Sequence, residues 1–428
     1  MKRCLGLFFL LSSCLIINAQ PNFKITRVNE FYSFVKVVVN ENSLINLFEN
    51  IRYTSLKIIV QQPSNDSIQI GFKKPDGSLN YLTTHISDFS DEGLEGTYST
   101  QLKIFESAQT RLNIDFKKFK GQVKIILIYA PELKNPVVTN LFKTTDPCDK
   151  PQMISYTFWR EGLPNPKPPR EQTKVEHLVV HHSAGSNSDT NYINTVRNIY
   201  LLHTQTNGWD DIGYNFLVAP NGIIFKGRDP QGVADEDNIL GAHFCGKNSS
   251  TMGVCMMGDF MKQRPTLQAI FSLKYLLAWK LKKDGINAFG QTKHPQPNGS
   301  LLNNLCGHRD GCNTDCPGDS LYALLPKIKA EAARIADSCS LILSNNTINF
   351  QKQITLFPNP GSGTITISSE FKFNSATILI YSLAGNLIYQ NSFDAGIPFD
   401  LTLPEGLYFY KINYLKNNFH KGILVIQN

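Results

Sequence analysis

Hydrophobic and polar residues alternate in different ways along the chain of 428 residues. Over residues 20–145 the apolar residues fall in short β-branched runs, at 34–39, 56–60 and 123–128, and turn-forming residues separate these runs. Runs of this length and composition are typical of β-strands. No group of residues suited to catalysis accompanies them. The pattern therefore predicts a β-rich, sandwich-like accessory domain.

Between residues 148 and 339, predicted strands alternate with longer helices. Helical periodicity predicts a helix over 190–205, capped by Asp189, and a second over 266–284, stopped by Gly285. Apolar stretches predict strands at 176–182, 212–219, 223–226 and 251–258. This alternation predicts an α/β domain, in which helices flank a mixed β-sheet.

The last part of the chain returns to short strands. Residues 340–352 have the polar composition of a linker, and residues 353–428 contain short strand-like runs with Gly and Pro turns. The pattern predicts a small β-sandwich without a site of its own. The chain is thus expected to be multidomain, with the α/β domain in the centre.

The first residues have the features of a signal peptide. Lys2 and Arg3 precede an apolar run over 5–17, and Ala19 offers a small residue for cleavage. We expect residues 1–19 to direct export through the Sec route. No later run in the sequence is long and apolar enough to predict a transmembrane segment.

Composition and charge exclude one class of partner. The hydrophobic fraction is 42% and the net charge is +7, which are ordinary values for a globular protein. The densest basic patch, Lys117, Lys118 and Lys120, is typical of a solvated surface rather than of a nucleic-acid site. We therefore expect no nucleic-acid partner.

The cysteines suggest disulfides and one thiol with another role. Two of the nine cysteines lie in the predicted leader, so an odd number is left in a chain exported to an oxidising compartment. Closeness in sequence favours two pairs, and a third would join the ends of the α/β domain. The predicted pairs are Cys245–Cys255, Cys306–Cys312 and Cys148–Cys339.

Three residues of the central domain could bind a metal ion together. His181 ends a predicted strand, and His308 and Cys316 lie eight residues apart in a predicted loop. Two imidazoles and a thiolate suit Zn²⁺, and three protein ligands leave a position for water, as in a catalytic site. Considered singly, each histidine could be a core residue and Cys316 a further disulfide partner. His182 points to the opposite face of the strand, so only one of the two histidines can serve.

Four sequence blocks of the central domain resemble a known family. They are VEHLVVHHSAG (175–185), GWDDIGYNFLVAPNGIIFKGRDP (208–230), GAHFCGKNSSTMGVCMMGDF (241–260) and GHRDGCNTDCPGD (307–319). In this order they resemble peptidoglycan recognition proteins and type 2 N-acetylmuramoyl-L-alanine amidases. The resemblance covers about residues 176–336. It implies a zinc amidase that cuts the bond between N-acetylmuramic acid and L-alanine in peptidoglycan.

The resemblance also implies a role for individual residues. It makes His181, His308 and Cys316 the zinc ligands. Tyr214 matches a catalytic tyrosine that orients the reacting water or hydrogen-bonds the oxyanion, and Thr314 matches a position that faces the scissile carbonyl. Residues that match positions lining the glycopeptide groove are His203, Trp209, His243 and Asn248, although Trp209 could equally be a core residue.

The C-terminal segment resembles a sorting domain of the type IX secretion route of Bacteroidetes. The matching motifs, ITLFPNPGSGTITI, ILIYSLAGNLIY, LPEGLYFYKI and KGILVI, lie within residues 353–428. The resemblance implies a partnership with the type IX secretion machinery, passage across the outer membrane, and a secreted or cell-surface protein.

Two other functions compete with the amidase. Some members of the family bind peptidoglycan without cutting it, and these typically lack the thiolate ligand, which is present here as Cys316. A purely structural zinc site would need four protein ligands, whereas the motifs supply three. The sequence therefore favours the enzyme over the recognition protein.

Overall fold

A computed structural model of the protein describes residues 23–41, 43–47, 51–61, 67–73, 78–87, 97–116, 119–133, 149–168, 170–294, 299–342, 354–357, 359, 361, 364–369, 375–382, 385–394, 399–414 and 418–426. The predicted signal peptide lies outside these ranges, as do Lys117, Lys118 and most of the predicted linker. The chain separates into two compact units near residue 130, and each is described below by itself.

The described residues of the N-terminal unit include ten strands. Nine of them form one hydrogen-bonded path, in the order β1-β2-β10-β4-β7-β6-β5-β9-β3, and β8 pairs with β4. The strands are β1 (Lys24–Arg27), β2 (Tyr32–Val39), β3 (Ser43–Leu47), β4 (Tyr53–Val60), β5 (Ser67–Lys73), β6 (Leu79–Ser87), β7 (Tyr98–Thr100), β8 (Lys103–Gln109), β9 (Leu112–Phe116) and β10 (Gly121–Ile128). The three strands predicted from the sequence are confirmed as parts of β2, β4 and β10.

One apolar core joins both ends of this strand path. Val35 on β2 and Ile125 on β10 share a buried cluster with Ile45 on β3 and Ile114 on β9. Strands that are distant in the hydrogen-bonding order can share a core only if the sheet folds over on itself. The β-rich module predicted from the sequence is thus present among the described residues.

The central domain is built on a five-stranded sheet in the order β13-β12-β14-β11-β17. Strands β12, β14, β11 and β17 run parallel and β13 is antiparallel to β12, so the sheet is mixed, as predicted. Two further strands, β15 and β16, form a hairpin. The bounds are β11 (His177–His182), β12 (Phe216–Val218), β13 (Ile224–Lys226), β14 (Thr251–Met256), β15 (Gln291–Lys293), β16 (Leu301–Asn303) and β17 (Leu305–Gly307).

The helices of this domain follow the predicted pattern with two adjustments. Helix α3 is capped by the Thr266 hydroxyl and ends at Gly285, whose φ of 65° favours glycine. Helix α2 begins after Asn191, not Asp189, because the Asn191 side chain accepts the Asn194 N–H at 3.1 Å. Its last turn is a π-helix over Leu202–Thr206. The α-helices are α1 (Tyr156–Trp159), α2 (Tyr192–Leu201), α3 (Leu267–Asp284), α4 (Asp319–Tyr322) and α5 (Leu325–Ile342).

The two faces of the central sheet have different surroundings. Leu178 and Val180 on β11 point into the main core, where they meet α3 and α5 through residues such as Leu277 and Ile328. Since side chains alternate along a strand, His177, Val179 and His181 point to the other face. Val179 there belongs to a separate small cluster that includes Phe244. The candidate ligand His181 therefore lies on the face away from α3 and α5.

The C-terminal region contains two small antiparallel sheets, β18-β19-β22 and β21-β20-β23-β24. Residues of both sheets, among them Ile365 and Ile378, share one apolar cluster, as in the predicted β-sandwich. The strands are β18 (Ile354–Phe357), β19 (Thr364–Ser369), β20 (Ala376–Tyr381), β21 (Leu387–Phe393), β22 (Phe399–Asp400), β23 (Gly406–Tyr414) and β24 (Asn418–Ile426). Among the helices of the described ranges, none combines the length and apolarity needed to cross a membrane.

Candidate metal centre

Three side chains from different parts of the sequence meet beyond the ends of two parallel strands. His181 lies near the end of β11, His308 directly follows β17, and Cys316 lies in the loop before α4. Because β11 and β17 are parallel neighbours, their carboxyl ends lie at the same edge of the sheet. The three ligand atoms lie within 4.8 Å of one another, and all three residues are buried. The Cys316 sulfur is 3.7 Å from His181 Nδ1.

The chemistry of this cluster fits a zinc ion. Burial lowers the pKa of His181 well below its usual range and lowers that of His308 to about 4, so both imidazoles are neutral, the form that binds metals. Both ring nitrogens of His308 are buried without a hydrogen-bond partner among the described residues. A buried imidazole in that state calls for another partner, and a metal ion would supply one.

The main chain supports a negative charge on Cys316. The N–H of His182 donates to the Cys316 sulfur at 3.3 Å. A donor directed at sulfur stabilises a thiolate over a thiol, and the thiolate is the metal-binding form. The hydroxyl of Thr314 accepts the Cys316 N–H at 3.2 Å, so it also shapes this loop. Thr314 is half-buried next to the cluster.

His182 takes no part in the cluster through its ring. Its Nδ1 accepts the Phe260 N–H at 3.3 Å and lies 4.0 Å from an Asp259 oxygen. The ring is thus on the opposite side of β11 from His181, as the alternation of side chains along a strand predicts.

Tyr214 lies beside the cluster, as the motif suggested. Its ring centroid is 5.3 Å from that of His181 and 5.7 Å from that of His203, and the side chain is half-buried. The structure therefore places a phenol next to the candidate ligand His181, in a position open to solvent on one side.

Buried ion pairs anchor the segment that leads to Tyr214. Asp210 accepts from Arg170 at 2.7 Å and from Arg228 at 2.6 Å. Asp211 is fully buried, and burial raises the pKa of its carboxyl to about 6. Its Oδ2 atom accepts from Arg170 at 2.9 Å and from the Asp229 N–H at 2.8 Å, and these contacts favour the ionised form. Arg228 is thus an anchor for this loop.

The predicted groove residues His203 and Trp209 lie together behind Tyr214. His203 belongs to the π-helical turn, is buried, and accepts the Gly213 N–H on Nδ1 at 3.1 Å. Its ring centroid lies 4.6 Å from that of Trp209, which is half-buried. A π-helical turn contains one residue more than an α-helical turn. His203 lies in this wider turn.

The other two predicted groove residues lie on the far side of His181. His243 is buried, and its Nδ1 is 3.0 Å from His181 Nε2. Burial lowers the pKa of His243 to about 3, so its ring is neutral. The side-chain oxygen of Asn248 accepts the N–H groups of His243 and Phe244 at 2.8 and 2.9 Å. Asn248 thereby holds the loop that carries His243.

The disulfide in this region differs from both local predictions. Cys245 is bonded to Cys312 with a Cα–Cα distance of 6.1 Å, which is in the normal range. Cys255 and Cys306 are buried thiols on β14 and β17. The predicted pairs Cys245–Cys255 and Cys306–Cys312 are wrong. One member of each pair lies on a strand within the sheet, whereas the other lies in a loop. Loops beyond the strand ends bring Cys245 and Cys312 together.

The third predicted pair is only partly described. Cys339 is buried and takes part in a disulfide. Cys148 lies outside the described residues, so the pair Cys148–Cys339 stays a prediction.

Two groups near the cluster were not identified from the sequence. The Thr251 hydroxyl lies 3.2 Å from His243 Nε2, and the His182 N–H meets the Cys316 sulfur. Nothing in a sequence marks a main-chain donor. Thr251 looks like an ordinary β-branched strand residue. The contact between His182 and Cys316 joins segments that are distant in the chain.

A buried pair of histidines and a cysteine at the edge of a mixed sheet forms a candidate metal site in an α/β domain, and comparison with known proteins gives this class of domain a name. Residues 171–319 match the family described as N-acetylmuramoyl-L-alanine amidase. Residues 355–427 match the secretion system C-terminal sorting domain. The two matches lie within the predicted central and C-terminal domains.

Individual relatives agree with these matches. Peptidoglycan-recognition protein LE of Drosophila melanogaster is 32% identical over 156 residues, which are 35% of this chain and 43% of that protein. Peptidoglycan recognition protein 1 of Bos taurus is 30% identical over 159 residues, 36% of this chain and 73% of that protein. The N-acetylmuramoyl-L-alanine amidase of Homo sapiens is 32% identical over 163 residues, 37% of this chain and 25% of that protein.

The chain belongs to the family of peptidoglycan recognition proteins and N-acetylmuramoyl-L-alanine amidases, and it carries a C-terminal secretion sorting domain. The sorting domain indicates type IX secretion and a secreted or cell-surface protein. The chain spans less than half the length of some of these relatives, such as the Drosophila protein LE.

Proposed function

We propose that this protein is a zinc-dependent N-acetylmuramoyl-L-alanine amidase that hydrolyses the amide bond between N-acetylmuramic acid and L-alanine in peptidoglycan. The observation that carries the proposal is the complete ligand set, His181, His308 and Cys316, with its atoms within 4.8 Å of one another. Three ligands leave one position open, which is the arrangement of a catalytic zinc site. Bound zinc would polarise the scissile carbonyl and promote ionisation of the attacking water.

The surrounding side chains suit the remaining steps. The half-buried Tyr214 phenol, beside His181, can donate a hydrogen bond to the oxyanion or orient the attacking water. The Thr314 hydroxyl accepts the Cys316 N–H, and its own proton can be directed to the scissile carbonyl. Neither residue needs to change its protonation state for these roles.

The glycopeptide would lie along the surface between Trp209 and Asn248. Trp209 is half-buried with His203 against it, which is suitable for contact with a sugar or an alkyl chain. Asn248 uses its oxygen for the main chain of His243 and Phe244, so its amide NH₂ is the group that would meet the substrate. In this arrangement His203 and His243 are buried supports at the floor of the groove.

We further propose that residues 1–19 are a signal peptide for the Sec route, and that the domains are 20–145, 148–339 and 353–428 with a linker at 340–352. The type IX machinery would then take the protein across the outer membrane. The N-terminal module has no assigned role in this scheme.

The decisive experiment is digestion of purified sacculi by the mature protein, with and without a chelator, followed by mass analysis of the products. We expect release of stem peptides that begin with L-alanine, loss of release after chelation, and recovery when zinc is added back. Binding to sacculi without release of peptides would instead identify a recognition protein. Release that persists in metal-free protein would contradict the zinc mechanism.

A further inference from the structure

Two residues behind His181 continue a hydrogen-bonded chain away from the candidate metal centre. His181 Nε2 lies 3.0 Å from His243 Nδ1, and His243 Nε2 lies 3.2 Å from the Thr251 hydroxyl. The Thr251 hydroxyl in turn donates to the main-chain oxygen of Asn248 at 2.7 Å. Thr251 is fully buried, and His181 and His243 are almost so. The chain of hydrogen bonds therefore ends at the main-chain carbonyl of Asn248, which can only accept a hydrogen bond.

Only one placement of the protons satisfies all the hydrogen bonds along this chain. The Asn248 carbonyl has no proton, so the Thr251 proton lies on that bond and the Thr251 oxygen must accept from His243 Nε2. A neutral imidazole carries one N–H, so His243 Nδ1 is an acceptor. His181 must then donate from Nε2, which leaves its Nδ1 with a free lone pair. That nitrogen is the one that faces the Cys316 sulfur at 3.7 Å.

The position of the His243 ring is held by close packing as well as by hydrogen bonds. A Cβ atom at Gly253 would lie 2.6 Å from the ring, and one at Gly241 would lie 2.5 Å from it. Side chains at either position would push the ring out of line. Asn248 fixes the main chain of His243 from the other side through the N–H at 2.8 Å.

We infer that Thr251 and His243 are positioning residues that set the tautomer and orientation of His181, so that its Nδ1 is presented to the metal. The inference rests on the proposed zinc site, although not on amidase activity. Outer partners of metal-binding histidines fix the ring and raise its basicity, and their loss typically weakens metal affinity by about 10- to 100-fold. His243 thus acts through His181 and does not itself bind the ion.

The first test measures zinc affinity by competition with a chelator in the full-length mature protein. Thr251→Val removes the hydroxyl at nearly constant shape, and Thr251→Ser retains it. We expect the Val variant to bind zinc about 10-fold more weakly or worse, and the Ser variant to bind within about 3-fold of wild type. Equal affinity of the Val and Ser variants would overturn the inference, provided that both metal-free proteins unfold at similar temperatures.

A second pair of variants tests His243 directly. In His243→Asn the side-chain oxygen can take the place of Nδ1 and accept from His181, whereas His243→Leu offers no acceptor. We expect the Asn variant to retain more zinc affinity than the Leu variant. The reverse order would contradict the assigned direction of the hydrogen bond.

A third measurement needs no metal. Nitrogen chemical shifts of selectively labelled histidines in the metal-free protein report which ring nitrogen carries the proton. We expect an Nε2–H tautomer for both His181 and His243, with a change at His243 in Thr251→Val. An Nδ1–H tautomer of His181 would refute the proposed direction of the hydrogen bonds from His181 to Thr251. If wild type binds no zinc but shows the expected tautomers, the proposed function fails, whereas the assigned hydrogen-bonded chain stands.

Discussion

The sulfur of Cys316 lies 3.3 Å from the main-chain nitrogen of His182, the residue that follows His181 on β11. One short stretch of strand thus supplies the imidazole of one candidate ligand and a hydrogen bond to the sulfur of another. The arrangement stabilises the negative charge that zinc binding requires. It also makes Cys316 the most informative residue to change.

Replacement of Cys316 by serine should remove catalysis and leave binding. A serine hydroxyl stays protonated where a thiol ionises, so it is a poor zinc ligand. Trp209 and Asn248 are untouched, and we expect the variant to sediment with sacculi but to release no stem peptides. Zinc content and peptide release are the measurements. Cys306→Ala, which removes a buried thiol outside the ligand set, is the matched control and should keep its zinc.

Tyr214→Phe should keep zinc and lose most of the turnover. The phenol lies beside the ring of His181 and is not among the three ligands. Loss of one hydrogen bond to a developing oxyanion typically lowers kcat by about 10²- to 10³-fold. Turnover equal to that of wild type, at equal zinc content, would assign Tyr214 to packing.

Loss of the disulfide should destabilise the domain around the ligands. The Cys245–Cys312 bond joins the loop after His243 to the loop after His308 and closes 67 residues of sequence. For the double variant Cys245→Ser/Cys312→Ser we expect the free energy of unfolding to fall by about 2–4 kcal/mol. Cys255→Ala serves as the control, because Cys255 is a buried thiol of the same domain that forms no disulfide. Comparable stability of the double variant and the control would show that the bond contributes little.

A drop in pH should destabilise the metal-free protein, and His177 and His294 should contribute to this loss alongside the histidines of the candidate metal centre. Their ring centroids are 5.5 Å apart, and burial lowers the pKa of each below 6.5. As the pH falls through 6.5, the unfolded chain takes up protons that the folded protein excludes, so the free energy of unfolding decreases. Stability is therefore greatest above this range.

Denaturant unfolding between about pH 7.5 and 5 would measure the effect. Removal of one such histidine in His177→Asn should reduce the slope of stability against pH by up to about 1.4 kcal/mol per pH unit. The slope is the relevant quantity, since the substitution also removes the hydrogen bond between His177 Nε2 and the Thr292 hydroxyl. An unchanged slope would mean that His177 takes up its proton over the same pH range in the folded and the unfolded protein.

Local patterns were enough to predict several of the elements. Helix α3 agrees closely with the prediction because its cap, Thr266, and its stop, Gly285, act through neighbouring atoms. The buried strands β2, β4 and β10 agree for a similar reason, since β-branched runs favour extended backbone. The start of α2 was missed by two residues because Asn191 and Asp189 are both good caps, and only the backbone decides between them.

The candidate ligand set could also be proposed from the sequence, because residue type limits which side chains bind zinc and the family motifs carry those types in order. The structure brings these three side chains together. Tertiary structure alone decided the rest. Three contacts join segments that are more than 60 residues apart or lie on different strands. They are the Cys245–Cys312 bond, the hydrogen bond from the His182 N–H to Cys316, and the hydrogen-bonded chain from Thr251 through His243 to His181. Their formation depends on how parallel strands align their ends and on which loops then approach each other. Spacing along the sequence carries no information about either, because the tertiary arrangement of the sheet, and not the number of residues between two loops, determines which loops come together.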